Sequence, residues 1–194
     1  TKKRYGGNLI YGNDTERRIF MRSEKVRKIT TIALLIAVEI LLSRFLSIAT
    51  PIVKIGFSFL PIAMIAMRYG PLAAGVGYAA ADFIGAILFP IGAYFPGFTA
   101  TCFLCGIAYG MILYRPGKSL GWMQIFCAAA TVLLLQLVFD TLWVAILTGK
   151  GYIALLPARI TKVLVMLPVQ VLSIGLVQRR FYLVKSRGES AKDC

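Results

Sequence analysis

The chain has 194 residues, of which 58% are hydrophobic and 15% charged, with a mean hydropathy of +0.76; a soluble domain is about half apolar and about a quarter charged. No histidine is present, which excludes histidine-based zinc sites, serine or cysteine catalytic triads and histidine proton relays. Lys and Arg outnumber Asp and Glu by 22 to 8, but they flank long apolar runs, so the pattern indicates an integral membrane protein rather than a nucleic-acid-binding protein.

Residues 1–28 form a basic segment that precedes the first apolar run. The segment contains nine basic and three acidic residues and shows no clear apolar period. We therefore predict a cytoplasmic N-terminal tail that ends in a short stretch on the membrane surface. A secretory signal would place its apolar region nearer to the terminus and follow it with a small-residue cleavage site. The first apolar run is accordingly predicted to be a retained membrane helix.

Six apolar segments follow, and we predict that each is a transmembrane helix. They cover residues 29–48, 57–67, 72–88, 98–114, 122–147 and 153–177. The second segment contains Pro61 and is shorter than the ~20 residues that normally cross a bilayer. Together the segments use nearly all of the chain after residue 28. The predicted fold is therefore all-α, with one compact six-helix membrane domain over 29–182 and a cytoplasmic tail over 183–194.

The distribution of basic residues predicts the orientation of the chain. If the N-terminus is cytoplasmic and the chain crosses six times, 17 of the 22 basic residues lie on the inner side and 5 on the outer side. Cytoplasmic loops of membrane proteins carry such an excess of Lys and Arg, so both termini are predicted to be cytoplasmic. The five outer cations are Arg44, Lys54, Lys150, Arg159 and Lys162.

Three of these cations are candidates for binding an anionic ligand, because they lie within apolar segments. Arg44 precedes the end of the first segment, whereas Arg159 and Lys162 are three residues apart and share one face of the last helix. A cation inside a membrane helix costs about 2.5–3.5 kcal/mol unless it is paired or lines a wet cavity. Lysine and arginine also snorkel to the interface, but three cations on one side of the membrane favour a shared ligand.

Glu39, Asp82 and Asp140 are the only acidic residues inside the apolar segments. One interpretation is internal pairing, in which one of the two aspartates neutralises Arg44 or Arg159. The other interpretation is ligand binding, because a carboxylate such as that of Asp140 can accept hydrogen bonds from an amino-substituted heterocycle.

Residues 89–98, with the sequence FPIGAYFPGF, contain two prolines, two glycines and four aromatic residues. This composition predicts a turn-rich loop and excludes a regular helix. The loop could be a packed cap at the membrane surface, or Tyr94, Phe95 and Phe98 could form a stacking surface or lid for a flat ring. A second apolar loop over 49–57 carries Lys54, and both loops are predicted to lie on the outer side, over the cations.

Small residues at helical spacing indicate surfaces for close helix packing. Ala33 and Ala37 form a small-xxx-small pattern on the first segment, and Ala73, Gly77 and Ala81 form a similar seam on the third. Alanine pairs at this spacing are common and usually serve packing within a chain, so the pattern alone does not identify a partner.

Two further motifs bear on chemistry. Cys102 and Cys105 form a C-x-x-C pair inside a predicted helix with no other ligands nearby in sequence. We interpret them as small apolar residues that form neither a disulfide nor a metal site. The sequence has no Walker motif and no glycine-rich phosphate loop, so the chain is predicted not to hydrolyse ATP itself. Neither an enzyme active site nor a cofactor is predicted.

These features resemble the substrate-binding S components of energy-coupling factor (ECF) vitamin transporters in length, in the six helices, in the alanine pattern on helix 1 and in the long outer loops. Over residues 22–182 the closer resemblance is to the folate-specific S components. Its most specific part is the run Tyr94–Thr99. The other segments that resemble this subgroup are Ser43–Ile48, Thr50–Phe57 and Phe59–Pro61.

The resemblance implies a membrane-embedded receptor that binds one vitamin near the outer face and works with a transmembrane coupling protein and two cytoplasmic ATPases. In that family the alanines of helix 1 face the coupling protein, and they correspond here to Ala33 and Ala37. A flat pterin would need the loop aromatics, and the glutamate tail of folate would need the cations. The candidate ligand-binding residues are Arg44, Lys54, Tyr94, Phe95, Phe98, Asp140, Arg159 and Lys162.

Other functions remain as alternatives. An S component for riboflavin, thiamine or biotin would use a similar scaffold, although biotin has only one carboxylate and the excess of outer cations argues against cationic thiamine. Outside this class, a small intramembrane enzyme would lack histidine and an obvious acid–base pair. A channel subunit would need a polar helix face along the whole pore, whereas the polar residues here cluster toward one end.

Overall fold

The computed structural model describes residues 14–45, 48–49, 54–90, 94–115, 120–149 and 151–190. Within these ranges the regular secondary structure is helical apart from two strands of two residues each, which agrees with the prediction of an all-α fold. The helices are α1 (Asp14–Arg44), α2 (Phe59–Tyr69), α3 (Pro71–Leu88), α4 (Pro96–Leu113), α5 (Trp122–Thr148) and α6 (Tyr152–Ser190).

The chain divides into two compact units, residues 1–34 and residues 35–194. In the first unit the described residues are helical, and the hydroxyls of Thr30 and Thr31 donate to the carbonyls of Val26 and Arg27, one turn earlier. The second unit contains helices α2 to α6 together with residues 35–44 of α1. Apart from the start of α1 and Ala33, the structural features described below belong to the second unit.

The two terminal helices differ in extent from the predicted segments. Helix α1 begins at Asp14, so part of the predicted tail over 1–28 is helical, and it ends at Arg44 rather than at residue 48. Residues Ile48–Ala49 (β1) instead pair antiparallel with Lys54–Ile55 (β2), with Ile48 opposite Ile55. β-Branched isoleucine in both strands favours this extended backbone. At the other terminus α6 continues to Ser190, within the segment predicted to be a tail.

Three helices of the described chain have a proline in their first turn. Helix α4 begins at Pro96, so the prediction that residues 89–98 exclude a regular helix is wrong for the last three of them. A proline in the first turn is tolerated because that N–H has no partner within the helix and the fixed φ suits it. Pro71 begins α3 in the same way, and Pro61 lies in the first turn of α2.

Four helices of the described chain are long and apolar enough to cross a bilayer. They are α3, α4, α5 and residues 152–179 of α6, with mean hydropathies between 1.5 and 2.1. Helix α2 is apolar but has only 11 residues. Large apolar side chains such as Leu72, Met111 and Leu164 are exposed on these helices, as expected where a protein surface faces lipid rather than water.

Helices α3 and α4 form an antiparallel pair whose backbones touch. A Cβ atom at Gly106 would overlap the carbonyl of Ala74, and one at Gly110 would overlap the backbone of Pro71. On the α3 side, a Cβ at Gly75 would lie 2.8 Å from Cγ1 of Ile107. Only glycine permits this approach. We call Gly75, Gly106 and Gly110 the glycine seam.

The glycine seam does not use the small residues that the sequence suggested for α3. A Cβ at Gly77 would make ordinary contacts, 3.5 Å from Ile65 and 3.8 Å from Ile36, so this face of α3 packs against side chains. The tight contact lies on the face that carries Gly75. The face predicted from Ala73, Gly77 and Ala81 is therefore packed less tightly than the face of Gly75, and spacing alone does not show which partner lies closest.

Candidate functional site

A cavity of about 280 Å³ lies among the helices of the second unit, near the lower end of the ~300–1,000 Å³ that small-molecule sites usually occupy. Every helix contributes to its wall, from Glu39 of α1 to Gln170 of α6. Both signs of charge are present. Among the described residues, the charged ones that line the cavity are Glu39, Asp82, Asp140, Arg159 and Lys162.

The two cations of α6 lie together with Asp140 of α5 on one wall of the cavity. Arg159 and Lys162 are one turn apart, and the charge of Asp140 interacts with both of them. Arg159 is only 7% exposed, and its Nε atom has no hydrogen-bond partner in the part of the chain that the structure describes. Two cations against one carboxylate leave this wall with a net positive charge. We call these three residues the cationic wall.

Arg44 and Lys54, the other predicted cations, are placed differently. The guanidinium of Arg44 lies over Gly85 of α3, where a Cβ would be only 3.1 Å from its Nε atom. Arg44 is not among the described residues that line the cavity, and its buried Nε has no hydrogen-bond partner among them. Lys54 lies in β2, but its side chain is outside the described part of the protein.

Asp82 lines the cavity from α3, and its partner is a hydroxyl group rather than one of the cations that the sequence suggested. The Oγ1 atom of Thr99 donates to Oδ2 of Asp82 at 2.8 Å. The hydroxyl of Tyr94 lies 3.1 Å from the same Thr99 Oγ1. The ring of Tyr94 also contacts the edge of Phe83, with 5.9 Å between the centroids. These contacts tie the base of the α3–α4 loop together.

The predicted aromatic loop is divided between the cavity and the protein interior. Phe98 lines the cavity. Phe95 instead packs against Trp143 of α5, with 5.3 Å between the centroids, and a Cβ atom at Gly97 would overlap both rings. The indole N–H of Trp143 donates to Oγ1 of Thr101 at 3.0 Å, which fixes the ring against α4. The structure therefore brings Phe98, but neither Phe95 nor Tyr94, to the cavity wall.

Uncharged polar residues complete the cavity, and sequence reasoning did not select them. Gln136 of α5 and Gln170 of α6 both line it, together with Tyr78 of α3. Gln170 is almost fully buried and its Oε1 accepts a hydrogen bond of 3.1 Å from the hydroxyl of Tyr109. An amide side chain inside an apolar span is costly without a partner. That cost was the signal that could have identified both glutamines.

The two alanines predicted to face a partner are both exposed. Ala33 belongs to the first unit and Ala37 to the second. Within the second unit, the large apolar residues Val38 and Leu41 of α1 are exposed as well. The residues of the C-x-x-C pair, Cys102 and Cys105, are free thiols in α4.

Comparison with known proteins identifies a family. Residues 27–177 match the family described as "ECF transporter, substrate-specific component". The chain is 41% identical over 151 residues to the folate transporter FolT of Clostridium novyi (strain NT), which covers 78% of this chain and 87% of that protein. It is 27% identical over 164 residues to the folate transporter FolT of Leuconostoc mesenteroides subsp. mesenteroides, with coverages of 82% and 88%.

A solved structure gives a similar result. The fold resembles that in the "Crystal structure of FolT bound with folic acid", with a TM-score of 0.74 and 34% sequence identity, over 79% of this chain and 95% of that one. These relatives are transporter components, and the long apolar helices agree with a multi-pass membrane protein. The family match and the 41% identity lead to one conclusion: the chain belongs to the substrate-specific components of ECF transporters.

Proposed function

We propose that this protein is the folate-binding subunit of an ECF-type ABC transporter and takes up the vitamin across the cell membrane. The observation that carries the proposal is a cavity that places cations, carboxylates and an aromatic ring together between apolar helices. Such polar groups are expensive in a membrane protein and mark a ligand site. The relatives named as folate transporters and the fold shared with a folic-acid-bound structure support folate as the ligand.

The cationic wall suits the glutamate end of folate. Its net positive charge attracts a carboxylate, and Arg159 can bind one bidentately through its guanidinium fork. Arg44, and Lys54 in β2, would add to this attraction. Asp140 would hold the side chains of Arg159 and Lys162 in place before the ligand arrives, or would accept a hydrogen bond from it.

Aromatic residues would hold the pterin end. Phe98 lines the cavity and offers a ring face or edge to a flat heterocycle. Phe95 would act indirectly by fixing the loop through its contact with Trp143, and Tyr94 would do so through Thr99. In this arrangement Phe98 is the aromatic residue of the loop that contacts the ring, and it lies on the cavity wall before folate binds.

The orientation and the assembly belong to the same proposal. The chain would cross the membrane six times with both termini in the cytoplasm. The binding domain would span residues 29–182, between tails over 1–28 and 183–194. Uptake would require a transmembrane coupling protein and two cytoplasmic ATPases, because the sequence contains no Walker motif. ATP-dependent accumulation of folate by this chain reconstituted alone would contradict that division of labour.

Direct binding tests the ligand. The protein is purified in detergent and titrated with radiolabelled folate, and riboflavin, thiamine and biotin are each added in excess as competitors. We expect saturable binding of one folate per chain that only unlabelled folate displaces. Displacement by riboflavin or biotin, with no retention of folate, would contradict the proposal and assign the cavity to another vitamin.

Contact with the coupling protein is tested at α1. Ala37→Trp places a bulky ring on an exposed small residue, and we expect it to reduce co-purification with the coupling protein because close helix approach is blocked. Folate binding in detergent should be retained. Leu72→Trp, at an exposed position of α3, is the matched control. An Ala37→Trp protein that assembles normally but no longer binds folate would show that this face packs within the chain.

A further inference from the structure

Two carboxylates of the cavity have different partners. Asp140 lies among the charges of Lys162 and Arg159, whereas Asp82 accepts a hydrogen bond from the neutral hydroxyl of Thr99 at 2.8 Å. The negative charge of Asp140 is therefore offset by the two cations of the cationic wall. Asp82 lies on a different helix from that wall, and its hydrogen-bond partner is uncharged.

The direction of the hydrogen bonds around Asp82 is fixed by chemistry. A carboxylate only accepts, so the Thr99 hydroxyl must donate its single proton to Oδ2. The Thr99 oxygen can then only accept from Tyr94, whose hydroxyl lies 3.1 Å away. The proton of Tyr94 thus points to Thr99 and that of Thr99 points to Asp82. These two hydrogen bonds connect the exposed Tyr94 to Asp82, which lines the cavity.

One acceptor site of Asp82 is thereby occupied, and its rotamer is set from the α4 side. A carboxylate has about four acceptor sites in its plane, and Asp82 also lines the cavity. The sites that remain suit a ligand with two adjacent N–H donors, since paired donors bind a carboxylate bidentately. The ring nitrogen and the 2-amino group of a pterin form such an edge. A ligand carboxylate would be repelled from the same position.

We propose that Asp82 is a specificity-determining residue that reads the N–H donor edge of the ligand ring, and that Thr99 is the positioning residue that orients its carboxylate. The inference rests on the proposed binding of folate. It separates the cavity into an acceptor side on α3 for the ring and the cationic wall on α6 for the glutamate tail. Tyr94, predicted from sequence to cover the ring, acts through Thr99 instead.

The test compares folate with 2-desaminofolate, which lacks the 2-amino donor, by competition against radiolabelled folate. The wild type should bind folate on the order of ten-fold more tightly than the desamino compound, the value of one hydrogen bond to a charged group. Thr99→Val, which keeps the side-chain shape, should reduce this ratio by about three-fold or more by weakening folate alone. Thr99→Ser retains the hydroxyl and should restore the ratio.

Each remaining outcome has a defined meaning. If Thr99→Val weakens both ligands equally, Thr99 only supports the loop and the proposal fails. It also fails if the wild type does not distinguish the two ligands. Should Thr99→Val not fold, Asp82→Asn decides: Thr99 would hold the amide oxygen and turn the NH₂ group toward the ligand, so preference for folate should disappear. Retained preference would overturn the proposal. A wild type that binds no folate refutes the proposed function instead.

Discussion

The two ends of the α3–α4 pair are built in opposite ways. Near the α4 C-terminus the glycine seam brings the backbones of the two helices into contact at Gly106 and Gly110. Near the connecting loop the same two helices are joined through side chains, by the hydrogen bond between Thr99 and Asp82. At this second end Asp82 and Phe98 line the cavity.

The difference teaches how one helix pair can serve both stability and recognition. Backbone contact leaves no volume for a ligand and tolerates no added atom, so the glycine seam specifies the fold. Where the helices are separated by side chains, polar groups can enter and face the cavity. Substitutions at the seam should therefore act mainly on stability, whereas substitutions at the cavity should act mainly on affinity.

The largest expected effect is on stability, from Gly106→Ala in the glycine seam. The new methyl group overlaps the Ala74 carbonyl, so the backbones must separate. Overpacking of this kind costs on the order of 1–3 kcal/mol, or roughly 2–12 °C in apparent Tm for a chain of this length. Thermal unfolding in detergent measures the change. Gly121→Ala, with nothing within 4 Å of the new atom, is the control and should lower the Tm much less, since it changes only the N-cap of α5. Equal Tm values for the two variants would mean that the helices are free to move apart.

The second largest effect is a loss of folate affinity in the Arg159→Gln variant of the cationic wall. Losing one charge-assisted contact costs about 1.5–3 kcal/mol, so folate should bind roughly ten- to a hundred-fold more weakly. A pterin fragment without glutamate should lose much less. Isothermal titration measures both ligands, with Arg68→Gln as the control because Arg68 is an exposed cation outside the cavity. Equal losses for folate and fragment would place Arg159 at the ring or in the support of the fold.

The smallest effect should come from Gly85→Ala, which adds a methyl group 3.1 Å from the Nε atom of Arg44. The flexible guanidinium can move by a few tenths of an ångström, so we expect a loss of folate affinity of about three-fold or less. The change is measured by titration of Gly85→Ala with folate. In an Arg44→Gln background the same substitution should have no further effect, since the two residues act through one contact. Additive losses would show that Arg44 is not the group through which Gly85 acts.

The features that depend on a single helix were predictable from the sequence. Arg159 and Lys162 were expected to share a face because they are three residues apart, and they lie together on the cavity wall. The membrane character and most helix positions followed from hydropathy and from proline and glycine positions. The start of α4 was not predicted correctly, because proline was interpreted as a helix breaker although it suits the first helical turn.

What depended on two helices was not predictable from the sequence. Arg44 lies over Gly85 because α1 and α3 meet there, and no local spacing encodes that contact. Phe95 faces Trp143 rather than the cavity for the same reason. The pairing of Asp82 with Thr99 links residues 17 positions apart, and a sequence cannot distinguish a hydroxyl partner from a cation at such a distance.

The two tryptophans lie toward opposite ends of α5, and each is an intrinsic fluorescence probe of its own end. Trp143 packs on Phe95, which in turn contacts Phe98 at the cavity wall. Trp122 lies about 30 Å away along the helix, at 1.5 Å per residue, where it covers Gly175 and receives the guanidinium of Arg179 at 5.5 Å from its ring. A chain with Trp122→Phe would therefore emit only from beside the ligand site, and one with Trp143→Phe only from the opposite end. The emission spectra of these two variants would separate a local response to the vitamin from a movement that reaches the whole length of the helix.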